Sequence, residues 1–127
     1  MRRIIFISAL ALLLPLFAGE AATHNPSRNI NCKTAKVQIE LNYCADHDFK
    51  SVDGKLNAVY RKLLNNSDSR ERELLKAAER NWIGYRDSEC TLETAGSAGG
   101  SMAPMEYSTC LTEKTKVHIN ELEELGD

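Results

Sequence analysis

A basic surplus is missing from this chain: 16 lysines and arginines stand against 18 acidic residues, a formal charge of -2. Nucleic-acid binders ordinarily carry a cationic footprint, so that class is set aside. Histidine is scarce, with His24, His47 and His118 scattered and none in an HExxH spacing, and no CxxC pair accompanies the four cysteines. Both absences argue against a built metal site. His47, between Asp46 and Asp48, reads as a solvated helix start rather than a ligand set. No serine lies in a nucleophile elbow. Alternating β-type runs are lacking, which leaves helices as the building material. The reading calls for no cofactor, no metal and no nucleic acid.

Residues 1 to 21 have the pattern of a secretory signal. Arg2 and Arg3 form a positive start, Ile4 to Phe17 is apolar except for Ser8 and Pro15, and Gly19-Glu20-Ala21 supplies small residues at the two cleavage subsites. The run is too short for a membrane span, and Cys32 lies too far beyond it for a lipid anchor. Cleavage after Ala21 would remove Arg2, Arg3 and Glu20, leaving 14 basic and 17 acidic residues and a formal charge of -3. The expected product is one domain, residues 22 to 127, periplasmic or secreted, with no stable membrane anchor. Its acidic balance suits a basic protein partner.

Four cysteines in a small exported chain point to two disulfides, for which sequence allows three pairings. Cys90 and Cys110 flank a glycine-rich segment and can face each other across a helical hairpin. Cys32 and Cys44 then remain. They can meet only if residues 32 to 37 are not helical, because one continuous helix would hold them roughly 18 Å apart.

Residues 22 to 31 read as a polar, loose arm. A short helix is expected from Gln38 to about Cys44, with Glu40 positioned to reach back and Val37 a poor cap. Phe49, Val52, Leu56, Val59, Tyr60 and Leu63 mark an amphipathic helix over 47–64. Asn65-Asn66-Ser67-Asp68 makes a turn, and Asp68 with Glu71 opens a helix running to about Thr94. In it Leu75, Ala78, Trp82, Tyr85 and Glu89 fall on one face, which predicts Trp82 and Tyr85 in the core. The segment from Ala95 to Ser101 is a flexible break, and Pro104 fits the first turn of a last helix begun near Ser101. Its expected buried stripe is Leu111, Thr115, Ile119, Leu122 and Leu125. The fold expected is all-α: an antiparallel three-helix bundle with a short extra N-terminal helix, braced by two disulfides.

Glu79 with Glu89, or Asp87 with Glu89, could serve as paired carboxylates, but no pocket pattern accompanies them and no enzyme is expected. Arg86, one turn from Trp82, can stack on an aromatic ring and pair with a carboxylate of the preceding helix such as Asp53. The glycine-rich segment, tied at its base by Cys90 and Cys110, can instead enter a partner's cleft at reduced entropic cost.

Cys32 to Cys44 with Gln38, Glu40 and Asn42, then Asp53, Leu56-Asn57 and Tyr60, resemble the first half of the LprI-like lysozyme-inhibitor family. The second half is similar through Leu75, Ala78, Arg80, Trp82, Tyr85-Arg86-Asp87, Glu89-Cys90, Gly99-Gly100-Ser101-Met102, Pro104-Met105, Tyr107, Cys110-Leu111, Thr115 and Glu121-Leu122. Three positions depart from the family pattern: Glu79 where glutamine is usual, His118 where arginine is common, and Val37 where a capping threonine is usual. The resemblance implies an exported helical domain whose partner is a protein, a lysozyme in the sense of the family name. The candidate contacts are Ser97, Gly99, Gly100, Ser101 and Met102, with Arg80 and Arg86 as secondary ones. The rival expectation is an envelope structural or interaction protein, or a neutraliser of another cell-wall enzyme or toxin.

Overall fold

A computed structural model describes residues 30–126. The signal expected at 1–21 and most of the arm expected at 22–31 lie outside the described residues. Three helices follow one another: α1, Gln38–Asn66; α2, Ser69–Glu93; and α3, Ala103–Leu125. A single 3-10 turn, Ala95–Ser97, lies between α2 and α3, and no strand occurs among the described residues. The protein is an all-α three-helix bundle. Neighbours in sequence run antiparallel, so α1 and α3 are parallel: Asn42 meets Ser101 at one end, and Gly126 approaches Leu63 at the other.

The helices expected at 38–44 and 47–64 are one helix of 29 residues. Nothing between Cys44 and His47 interrupts the backbone bonding: the residues there are Ala45 and Asp46, neither of them a breaker. Val37 provides no side-chain cap. Glu40 does reach back, accepting from the Lys36 N–H at 3.2 Å, one residue before the capping position. The start of α2 is stronger. Asp68 accepts from the N–H groups of Arg70 and Glu71 while Glu71 accepts from the Asp68 N–H, a complete capping box. In α3, Pro104 occupies the first turn, where its missing N–H is no loss.

Leu56, Leu63 and Leu122 form the buried cluster, with Val59, Tyr60, Leu75, Trp82 and Ile119 packed against it. The inner face of α2 differs from expectation. Its buried residues are Glu79, Arg86 and Cys90, with Trp82 half-buried, whereas Ala78 and Tyr85 are exposed. The helix is rotated by part of a turn from the apolar stripe because two charged side chains find partners inside the bundle. Leu125 is exposed as well, and the buried line of α3 ends at Leu122. Small polar residues on α3, Ser108, Thr112 and Thr115, are buried and let α3 and α1 approach closely. Bulky Trp82 and Arg86 sit where α2 meets the other two helices. Among the described residues, no buried side-chain nitrogen or oxygen lacks a hydrogen-bond partner.

Candidate partner-binding site

The disulfides pair as the spacing indicates: Cys32 with Cys44 and Cys90 with Cys110, at Cα separations of 5.6 and 5.7 Å. The first works because residues 32–34 form a turn and the helix begins only at Gln38. The second joins the last turn of α2 to α3 and closes the base of the segment Thr94–Met102.

That segment is wound rather than loose, which corrects the expectation of a flexible break. Its N–H groups donate in succession: Ser97 to Thr94, Ala98 to Ala95, Gly100 to Ser97 and Ala103 to Gly100. The Ser97 hydroxyl adds a bond to the Thr94 carbonyl at 3.0 Å. Gly99 has φ +79°, a left-handed conformation that favours glycine. At Gly100 a Cβ would lie 3.0 Å from the Ser97 carbonyl oxygen, so this turn is built for a residue without one. The far side is pinned to α1, whose Asn42 amide donates to the Ser101 carbonyl at 2.9 Å. Gln38 in turn donates to Asn42 Oδ1 at 2.8 Å, which holds the Asn42 amide in place.

The structure brings Ser97, Gly99, Gly100, Ser101 and Met102 together at one end of the bundle. Ser97 is half-buried, the other four are exposed, and Met102 offers a large apolar side chain. Arg80 is exposed on α2, about 20 Å along the helix axis from the segment, from a rise of ~1.5 Å per residue. It lines a groove between α1 and α2 with Asp53, Asn57, Tyr60 and Ile83. Arg86 is placed differently. Only 6% of it is exposed, and its guanidinium lies 5.1 Å from the Trp82 ring and 5.3 Å from that of Phe49. It donates from Nε to Asp87 at 2.9 Å and from Nη1 to Thr115 Oγ1 at 3.3 Å, and pairs with Asp53 at 3.7 Å. The structure therefore does not put Arg86 on a partner-facing surface; it joins all three helices.

Periodicity missed a second polar contact. His118 stacks on Trp82 with centroids 3.8 Å apart and planes 10° from parallel. Its Nε2 lies 2.9 Å from Glu79 Oε2 and its Nδ1 3.0 Å from Glu121 Oε2. Glu79 and His118, two of the three positions noted above as departures, are each other's partners.

On the outer edge of α2 and α3, Lys114 bridges Glu89 at 3.0 Å and Glu93 at 2.9 Å. The hydrogen bond from Lys114 lowers the Glu89 carboxyl below its ordinary value, and the bonds to Glu93 and Glu89 raise Lys114. Tyr85 is raised by its hydrogen bond to Glu89. No group of three His, Cys, Asp or Glu among the described residues is arranged to hold a metal ion. No helix among them is long and apolar enough to cross a membrane.

Fold and bracing together define a small, disulfide-braced helical domain that displays a fixed loop. Residues 30–122 match the family described as lysozyme inhibitor LprI, and the chain belongs to that family. It is also similar to an uncharacterized protein of Rhizobium meliloti (strain 1021), 40% identical over 108 residues that cover 75% of this chain and 78% of the relative. No solved structure matches.

Proposed function

We propose that the chain is an exported binding protein that inhibits a lysozyme-type peptidoglycan glycosidase by occluding its carboxylate-lined cleft, with Ser97 to Met102 as the inserting contact. The observation that carries this reading is the loop: closed by Cys90–Cys110, wound by its own hydrogen bonds and pinned by Asn42. A contact surface held before binding loses less conformational freedom on binding. Membership of a family described as lysozyme inhibitor supports this choice of partner. Arg80, exposed and without an ion-pair partner among the described residues, is the secondary contact. It would meet the partner's carboxylates as a charge-assisted donor. The bundle is the scaffold, and Arg86 keeps it closed rather than touching the partner.

The test compares inhibition of a lysozyme by the purified chain and by Met102→Ala and Gly99→Val variants, at low salt. Each substitution is expected to weaken inhibition at least about tenfold, about 1.4 kcal/mol, with helix content unchanged. Full inhibition by both variants would show that this loop is not the contact.

A further inference from the structure

We infer that two copies of this chain associate through α2, antiparallel about a twofold axis near Glu79 and Arg80, with Tyr85 of each copy seated against Leu74 of the other. Leu74, Ala78, Asn81, Tyr85, Ser88 and Leu92 recur at alternating steps of four and three residues, and all six are exposed in the single chain. That spacing is the one that keeps a seam facing a second helix. The large members are more than half open to solvent: Leu74 at 62%, Tyr85 at 61% and Leu92 at 76%. Beside Leu74, Leu125 of α3 is exposed on the same face. Single apolar residues on a surface need no explanation, but four large ones on one two-helix face form a patch.

The face is self-complementary in shape. At the start of α2, Leu74, Leu75 and Ala78 line a groove of about 450 Å³ together with Leu125 and Leu63. Tyr85 projects three turns further along the same stripe. In a twofold interface residue i meets residue j and j meets i. One antiparallel register puts Leu74 opposite Tyr85, Ala78 opposite Asn81 and Arg70 opposite Glu89, so each tyrosine enters the other copy's groove.

Charge favours the same occupant. On this face the register sets exposed Arg70 of one copy against Glu89 of the other; Arg72, Lys76 and Arg80 lie on the α1 side of α2, and Asp87 pairs with buried Arg86, so they take no part. The twofold axis repeats this opposite-sign pair at both ends of the interface. The face is about 37 Å long and, with the edge of α3, about 20 Å wide. That is roughly 700 Å² per copy, near the ~800 Å² of a standard specific interface. The two Ser97–Met102 loops would then point away from each other at opposite ends.

Size-exclusion chromatography with light scattering, over about a hundredfold range of concentration, tests this on the purified exported chain. The wild type is expected to move from monomer to dimer. Leu74→Glu and Tyr85→Ala, both at exposed positions, are each expected to raise the dissociation constant at least about tenfold. Ile39→Glu, at an equally exposed position on α1, is expected to leave it unchanged. A wild type that stays monomeric, a dimer insensitive to both α2 substitutions, or equal sensitivity at Ile39 would each overturn the inference.

Discussion

Arg86→Ala removes a buried side chain that touches all three helices, and the structure sets the size of the effect. Two contacts with aromatic faces are lost, at about 0.5–1 kcal/mol each, the range for pairs whose neighbouring carboxylates remain open to water. The pairs with Asp53 and Asp87 contribute less, about 0.5 kcal/mol each, since those carboxylates are 39% and 46% exposed and can return to water. The vacated volume beneath Phe49 and Trp82 adds about 1 kcal/mol. A total near 3 kcal/mol follows, a large share of the ~5–15 kcal/mol stability of a domain. It corresponds to a fall in Tm of roughly 15 °C. Arg86→Lys keeps the charge but not the planar fork and is expected to recover about half of the loss. Arg80→Ala, at an exposed position on the same helix, is expected to stay within about 0.5 kcal/mol. Urea unfolding followed by Trp82 fluorescence separates the three. Equally mild effects of Arg86→Ala and Arg80→Ala would show that the buried arginine does not brace the bundle.

The remaining expectations concern the braces and the edge. Replacing Cys90 and Cys110 together by serine is expected to cost about 3 kcal/mol, from the entropy of opening the closed loop, read in urea unfolding; the loss of inhibition should exceed the loss of stability because the loop base opens. In a double-mutant cycle, Glu79→Ala and His118→Ala are expected to couple by about 1–2 kcal/mol, and the family-like pair Glu79→Gln with His118→Arg to stay within about 1 kcal/mol of the parent. Glu89, whose folded value is lowered from 4.5, contributes stability that is present above the ordinary carboxylate range and lost as pH falls through the folded value. Lys114 and Tyr85, raised from 10.5 and 10.0, contribute stability present below those values and lost as pH rises through their folded ones. Tm should therefore be flat between these limits and fall on either side, and Glu89→Gln should soften the acid limb.

Much of the scaffold was legible in the sequence because it rests on local rules. The Asp68–Glu71 capping box, Pro104 at the start of α3, and the line from Phe49 to Leu63 all appear where spacing put them. Both cysteine pairs follow from reach. What spacing could not show was the face of α2. Counting apolar residues selects Ala78 and Tyr85, yet the buried residues are Glu79 and Arg86, because a charge with partners on two other helices can be buried at low net cost. Those partners, Thr115, Asp53 and His118, are distant in sequence. The same shift exposes Tyr85, with Leu74 exposed three turns earlier on the same stripe. The loop was misread for a related reason: glycine and serine suggest freedom, but a left-handed Gly99 and successive turn bonds use those residues to make one defined shape.

In the proposed function, this scaffold holds a loop in a glycosidase cleft. Titrating the purified chain into a lysozyme at low salt, with peptidoglycan turnover as the readout, tests it most directly. Turnover should fall linearly to near zero at one chain per enzyme. Unchanged turnover at a several-fold excess of folded chain would contradict it.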